Sequence, residues 1–182
     1  GHQSHSVQAQ SPGFEQGSGW TRIALSAPAP AVRSSPAGSV IRVAGFDRSG
    51  PGPYGLPAET YKIALPPGTD VSTLELEILE LSESSTEMDS APAPRPKAAV
   101  ETGPALFDTG DVLARAHGRY VFTHAPSSMR SLSYVSLTFR PAYYSSDDLM
   151  LYSCGDILIE LSYEEEEDVE PVSDPLALDW AE

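Results

Sequence analysis

The sequence predicts an all-β protein, a jelly-roll-like antiparallel β-sandwich with mobile ends. Short segments alternate apolar and polar residues with period two, which is the pattern of half-buried strands. Turn signals separate these segments, since the chain contains 14 Gly and 17 Pro. Almost no segment has a helical period. Seven or eight short strands, joined by turns and long crossing loops, are typical of sandwiches and jelly rolls.

The strands of the first half begin at Trp20 with WTRIALSA and continue at 39–46 and 59–65. The segment STLELEILELSE (72–83) has period two until Ile78 and then slips by one residue, so a β-bulge is expected near Ile78–Leu79. A helix is the alternative for 72–83, because Leu and Glu are good helix formers. The strands and turns on both sides favour a strand.

The second half opens with a possible short helix near 111–116 and a strand at 119–125. A further strand is predicted at 131–141. Residues 148–163 form either two apolar strands or one strand bent at Gly155. One core is expected to contain eight large apolar side chains from these strands, namely Leu74, Leu76, Ile78, Leu137, Phe139, Leu151, Ile157 and Ile159.

The predicted organisation is one folded domain between two polar ends. Residues 1–19 are rich in Gly, Ser, Gln and His, which predicts a mobile lead-in. The β-sandwich domain covers 20–163. Residues 164–182 contain nine acidic residues and no basic one, so we expect a solvated acidic tail, or a linker toward a missing catalytic domain.

The charge of the chain excludes several classes of partner. With 11 Lys+Arg against 26 Asp+Glu, the formal net charge is −15, which repels phosphate backbones and anionic membrane surfaces. The same charge favours a monomer when the chain is free. No apolar run approaches the roughly 20 residues of a membrane span. The opening GHQSHSVQAQ has no hydrophobic segment, so we expect a signal peptide, if one existed, to have been removed.

The sequence shows no constellation for catalysis, and we expect no catalytic residue, cofactor or metal. Cys154 lies in a predicted buried strand without a neighbouring base, so it is interpreted as a small core side chain. No two of the four histidines, His2, His5, His117 and His124, have a metal-ligand spacing in the predicted domain. The protein is therefore predicted not to be an enzyme.

The front of the domain resembles the N-terminal prodomain of gingipain-type cysteine peptidases. VIRVAGFDRSGPGPYGLPAETYKIALPPGTDVSTLELEI has the family's Gly-Leu-Pro stretch at Gly55–Pro57, followed by a strand. The ALPPG turn of Ala64–Gly68 and the alternating strand of Ser72–Ile78 then follow in the family's order.

The back of the domain is similar to the closing pattern of the same family. MRSLSYVSLTFRPAYYSSDDLMLYSCGDILIELSY has an arginine, Arg130, and then a strand that ends at Pro141. A turn containing Tyr143 or Tyr144 follows, and then a final pair of apolar strands ending in an aromatic residue. The chain departs from the family at Ser131, where Gly is frequent, and it contains no peptidase domain.

The resemblance implies a β-sandwich that packs on a cognate gingipain-like peptidase, assists its folding and keeps it latent. In the best-known members, a loop blocks the active-site cleft and a basic side chain enters an acidic specificity pocket. The chain itself would be the non-catalytic part of a zymogen. The implied location is secreted, extracellular or periplasmic.

The segment APAPRPKAAV (91–100) is the candidate blocking loop under this resemblance. No basic residue occurs between Lys62 and Arg95, and Arg95 stands between Pro94 and Pro96. The prolines favour an extended chain, which a protease cleft accepts with a small loss of entropy, and Pro96 would resist cleavage after Arg95. Arg95 is the predicted pocket anchor, and Lys97 is the next candidate. A proline-rich surface loop with incidental charge is the alternative.

An extracellular adhesion or carbohydrate-binding module is the alternative function. Such modules display exposed aromatic side chains or an ordered calcium site. Tyr143 and Tyr144 lie beside Asp147 and Asp148 and could serve in this way. The simpler interpretation is a hairpin turn whose tyrosines cover the edge of the sandwich.

Overall fold

The computed structural model describes residues 12–47, 50, 52–94, 115–129 and 132–166. These residues form antiparallel strands and include no helix, hence none long and apolar enough to cross a membrane. The strands are β1 (Gly13–Gly17), β2 (Trp20–Ser26), β3 (Ala31–Ser35), β4 (Gly38–Arg42), β5 (Glu59–Leu65), β6 (Thr69–Glu87), β7 (Arg115–His117), β8 (Val121–Thr123), β9 (Ser127–Met129), β10 (Leu132–Phe139), β11 (Ala142–Ser145) and β12 (Met150–Glu165).

The first sheet is organised around β12. One edge of β12 pairs with β11 and then with β2, and β2 in turn pairs with β1. The other edge of β12 pairs with β6 along nearly the whole length of both strands. Strand β6 pairs with no other described strand, so it forms an edge of this sheet.

The second sheet has the order β5-β10-β8-β7, and β9 also pairs with β10. Strands β3 and β4 form a separate hairpin. Side chains from both sheets fill the core between them, including Ile159 and Leu161 from β12 and Leu137 and Phe139 from β10, none of which is measurably exposed. The predicted all-β sandwich is confirmed.

The eight residues predicted for the core all contribute to it. Five are buried in the main cluster, and Leu74, Leu76 and Ile78 of β6 are partly buried against it. Burying each large apolar side chain contributes roughly 1.5–3 kcal/mol. The core therefore uses the period-two pattern on which the prediction depended.

The predicted β-bulge in β6 is confirmed. Ile159 of β12 is opposite Ile78 and Leu158 is opposite Glu80, which leaves Leu79 as the extra residue. An extra residue exchanges the two faces of a strand. Odd-numbered residues beyond Leu79, including Glu83, consequently share the face that Ile78 presents to the core.

Three further elements differ from expectation or resolve an alternative. Strand β12 is one strand with a register shift at Gly155, not two strands. Strand β1 begins before Trp20, because pairing with β2 imposes an extended chain that its exposed sequence GFEQG does not signal. Residues 115–117 are strand β7, not part of a helix, because they pair with β8. The rest of the predicted helix, 111–114, lies outside the described residues.

Candidate functional site

The predicted blocking loop begins where the described chain is firmly held. Pro94 is exposed, whereas Pro92 and Ala93 just before it are buried. Arg95, Pro96 and Lys97 lie outside the described residues. The described part of the site therefore consists of two stems. The N-terminal stem ends at Pro94, and the C-terminal stem begins at Arg115.

The N-terminal stem is bound to β4 as a short parallel partner. The N–H of Ser39 donates to the carbonyl of Ala91 at 2.9 Å, and the N–H of Ala93 donates to the carbonyl of Ser39 at 2.8 Å. The hydroxyls of Ser39 and Ser90 lie 2.7 Å apart. Ser39 is only 4 % exposed, so these hydrogen bonds are shielded from water. The chain is thereby fixed as far as Ala93.

Gly38 allows the stem to come this close. Its φ of +133° lies in a region that L side chains rarely adopt. A Cβ at this position would lie 2.7 Å from the carbonyl oxygen of Ala91 and 3.0 Å from the nitrogen of Ala93. Any larger residue would push the stem away from β4.

The C-terminal stem leads into a cluster of Glu83, Arg119, Tyr120 and Tyr152, which we call the Arg119 cluster. The guanidinium of Arg119 lies 3.4 Å from Oε1 of Glu83 and 3.9 Å from the ring centroid of Tyr152. The hydroxyl of Tyr120 donates to Oε2 of Glu83 at 2.6 Å. Burial, followed by the hydrogen bond to Glu83, raises the pKa of Tyr120, so this hydroxyl keeps its proton.

A second guanidinium extends this cluster toward the centre of the sandwich. Arg140 stacks on Phe122 and Tyr143, at 4.8 and 5.3 Å from the ring centroids, and its Nη2 donates to the carbonyl of Arg119 at 2.9 Å. Cation–π contacts and hydrogen bonds hold both arginines in place. They connect the turn before β8 to β6, β11 and β12, so they serve the fold and are poorly suited to enter a partner's pocket.

Cys154 lies in the core, as the sequence predicted. It is 1 % exposed, and its thiol lies 3.4 Å from the carbonyl oxygen of Asp156. Burial raises the pKa of Cys154 to about 12, and the charges of Asp156 and Glu83 add to this effect. A thiol held in its protonated form in the core is not a nucleophile.

The two described histidines each contact a threonine. Nε2 of His117 lies 2.7 Å from Oγ1 of Thr123, and Nε2 of His124 lies 3.1 Å from Oγ1 of Thr138. Burial lowers the pKa of His117, and the charge of Arg115 lowers it further. Among the residues that the structure describes, no three His, Cys, Asp or Glu side chains are grouped as metal ligands would be.

The tyrosines of the alternative function are not displayed as an exposed pair. Tyr144 is 6 % exposed and packs edge-to-face on Tyr54 with 5.5 Å between the ring centroids. Tyr143 is half-buried under Arg140. The hydroxyl of Tyr152 donates to Asp148, and this hydrogen bond lowers the pKa of that carboxyl. These contacts favour the interpretation as a hairpin turn that covers the sandwich edge.

Sequence reasoning missed two features of this site. The alternation of leucine and glutamate in 72–83 predicts a solvent-facing Glu83, but the bulge at Leu79 places Glu83 on the same face as Leu81, where it accepts a hydrogen bond from Tyr120. That assignment could have been made from the slip in the period. The hydrogen bonds between Ser39 and the stem join residues about fifty positions apart, and no local pattern signals them.

Comparisons with known proteins place this fold beside gingipain zymogens. No family model matches the sequence, and no curated protein matches it. A chain in the complex of the pro- and mature domains of RgpB from Porphyromonas gingivalis superimposes with a TM-score of 0.67 at 13% identity, over 95% of each chain. The chain therefore shares its fold with a chain from this complex of gingipain pro- and mature domains.

A structure on the zymogenic latency of gingipain K from Porphyromonas gingivalis is also similar. The TM-score is 0.59 at 17% identity, over 88% of this chain and 95% of that chain. The fold implied by the resemblance to gingipain prodomains is therefore confirmed by two structures. At these identities the likeness concerns the fold.

Proposed function

We propose that this chain is the non-catalytic prodomain of a secreted gingipain-like cysteine peptidase, and that it acts as a folding chaperone and latency inhibitor. The observation that carries the proposal is the shared fold over 95% of both chains with a chain from a complex of pro- and mature domains. The partner is the cognate peptidase domain. The buried, protonated Cys154 agrees with a non-catalytic role.

Arg95 is the proposed anchor in the specificity pocket of that peptidase, with Lys97 as the second candidate. The support is the stem that precedes it, which is hydrogen-bonded to Ser39 as far as Ala93 and becomes exposed at Pro94. A stem that is already ordered reduces the entropy lost when the loop docks. A guanidinium recognises a carboxylate through two parallel hydrogen bonds, which suits an acidic pocket.

An inhibition series with the purified cognate peptidase tests this anchor. We expect Arg95→Ala to weaken inhibition by about 2 kcal/mol, roughly thirtyfold, because buried arginine anchors behave as hot spots. Lys97→Ala should weaken it less, since Lys97 lies two residues beyond the anchor. Arg95→Lys should be intermediate if the pocket reads the planar fork of the guanidinium.

The controls are substitutions of other arginines near the loop. Arg115→Ala removes an exposed cation from the C-terminal stem, and Arg130→Ala removes one from the back motif; both should inhibit like the parent chain. If Arg95→Ala inhibits normally and one of these does not, the anchor lies elsewhere. If no variant differs from the parent, the pocket does not select a cation.

The chaperone role has a separate test. The denatured peptidase domain is diluted into buffer with and without an equimolar amount of this chain, and the active-site titre is measured after the chain is removed. We expect a higher yield of active enzyme in its presence. Equal yields would leave the chain as an inhibitor without a folding role.

A further inference from the structure

The β3–β4 hairpin has one edge that no described residue covers. The N-terminal stem occupies the far edge of β4 through its hydrogen bonds to Ser39. Among the described strands, β3 pairs with β4 alone, and its residues Ala31–Ser34 are all exposed. One edge of the hairpin is therefore the exposed strand β3, and the other edge is β4, which binds the N-terminal stem that leads to Arg95.

The direction of the backbone groups on β3 follows from the contacts of Ser39. Its N–H and carbonyl point away from β3, toward Ala91 and Ala93. In an antiparallel ladder, the two residues of such an opposite pair both direct these groups outward. Ser34 is opposite Ser39, so its N–H and carbonyl face the open edge, and those of Val32 do the same two residues earlier.

The hairpin also carries two arginines on one face. Arg33 is opposite Val40 and Arg42 is opposite Ala31, so the two are diagonal neighbours, and both are exposed. The ion pairs of the described chain involve Arg22 and Arg119, not these two. On the opposite face, Val32 is 46% exposed. A chain with a net charge of −15 thus displays two neighbouring cations on one face of this hairpin and an exposed apolar side chain on the other.

Covalent geometry keeps this edge close to the proposed anchor. Pro92 forms a parallel β-bridge with Ser39 of β4, and Ser39 is opposite Ser34 of β3. Pro92 is therefore two strand spacings, of about 4.8 Å each, from β3. Arg95 follows Pro92 by three residues, which span at most about 11 Å. The covalent chain therefore limits the distance between β3 and the backbone of Arg95 to about 20 Å, which is small compared with the surface of a peptidase domain.

We propose that β3 is a strand-addition edge that receives an extended acidic segment of the cognate peptidase. The inference rests on the proposed function and adds the docking surface to it. The peptidase segment would hydrogen-bond to the outward groups of Val32 and Ser34, and its carboxylates would lie on the face of Arg33 and Arg42. Charge complementarity favours this occupant over a second copy of the chain, whose own β3 would bring the same arginines into opposition.

The test is the affinity of the chain for the cognate peptidase whose catalytic cysteine has been alkylated, measured by calorimetry. Ser34→Pro removes the outward N–H, while Arg33 and Ser35 keep the bonds of the hairpin, and proline is tolerated on such edges. We expect a loss of affinity of at least about tenfold, or about 1.4 kcal/mol. The matched control is Ser34→Ala, which keeps the N–H and should bind like the parent.

A second variant leaves the backbone unchanged. Arg33→Ser combined with Arg42→Ser should slow association at low salt and reduce the dependence of affinity on NaCl concentration, because complementary charges act mainly on the association rate. If this variant keeps the association rate and the salt dependence of the parent, the proposal that the bound peptidase segment is acidic is wrong. Circular dichroism checks that Ser34→Pro is folded. If it is not folded, the Arg33→Ser/Arg42→Ser variant alone decides whether β3 binds the peptidase.

The outcomes separate this inference from the proposed function. If the parent chain does not bind the peptidase, both are wrong. If Arg95→Ala loses inhibition while Ser34→Pro and the double variant bind like the parent, the prodomain function stands and strand addition at β3 is wrong. If sedimentation shows a dimer of the parent that Ser34→Pro dissociates, β3 pairs with a second copy and the proposal is overturned.

Discussion

Strands β6 and β12 are hydrogen-bonded partners along nearly their whole length, yet they differ sharply in burial. Ile157 of β12 is 2% exposed, whereas Leu81 of β6, directly opposite, is 45% exposed. Both residues are large and apolar and face the same side of the sheet. The difference arises because, among the described strands, β12 has a neighbour on each side and β6 has a neighbour on one side. Burial here depends on the number of neighbours and not on hydrophobicity.

The acidic residues of β6 fit its position at the edge. Unpaired backbone groups along an edge strand invite pairing with other chains, and charged side chains oppose this. Glu75, Glu77 and Glu80 are exposed along β6. The charge pattern that identified β6 in the sequence is thus suited to an edge, and the following predictions probe this contrast with β12.

The largest expected difference between β12 and β6 is in the reactivity of a cysteine thiol placed on each strand. Cys154 on β12 has a pKa of about 12, so at pH 8 its thiolate fraction is lower than that of an unfolded cysteine by roughly a thousandfold. Alkylation of the native chain should be slower than that of the chain in guanidinium by about this factor. In a Cys154→Ser background, Leu79→Cys on β6 should react rapidly. Fast labelling of native Cys154 would contradict its burial.

Replacing a leucine by alanine should lower the free energy of unfolding more on β12 than on β6. Leu161→Ala on β12 removes a side chain with no measurable exposure and should lower the free energy of unfolding by about 2–5 kcal/mol. Leu81→Ala on β6 should cost less than about 1 kcal/mol, because much of its surface already contacts water. Urea denaturation measures both. Equal costs would show that β6 is covered in solution.

Glu83 differs from Glu80 on the same strand, because it accepts a hydrogen bond from the buried Tyr120. Glu83→Ala leaves the Tyr120 hydroxyl without its acceptor and should destabilise the fold by about 1–3 kcal/mol. Glu83→Gln keeps an acceptor and should cost less. Glu80→Ala, on the exposed part of β6, is the control and should stay within about 0.5 kcal/mol of the parent. A similar loss in both alanine variants would assign no special role to the Arg119 cluster.

The smallest effect is expected for the ion pair that joins β2 to β12. Nε of Arg22 lies 2.9 Å from Oε2 of Glu160, but the Arg22 side chain is 42% exposed. Exposed pairs contribute about 0–1 kcal/mol, and salt screens them. Arg22→Ala should therefore lower stability slightly at low salt and less at high salt. A loss that salt does not reduce would point to the stacking of Arg22 on Trp20 instead.

Local patterns predicted the strands whose side chains alternate between core and solvent. Strands β2, β5, β6, β10 and β12 follow from period-two apolar positions, and the bulge at Leu79 follows from the slip in that period. Strands β1 and β3 could not be predicted in this way. Their exposed residues bury nothing, so the sequence carries no alternation, and only pairing with β2 and β4 makes them strands.

The composition and periodicity of this chain determined its class, an acidic all-β sandwich, because burial of alternating apolar residues is a local requirement of a sheet. The order of its motifs determined the resemblance to gingipain prodomains. Tertiary structure alone decided that Ser39 binds the stem before Arg95, that Glu83 accepts a hydrogen bond from Tyr120, and that β3 has no second partner among the described strands. These features depend on which distant backbone groups become neighbours, and hydrogen bonds between such groups leave no period in the sequence.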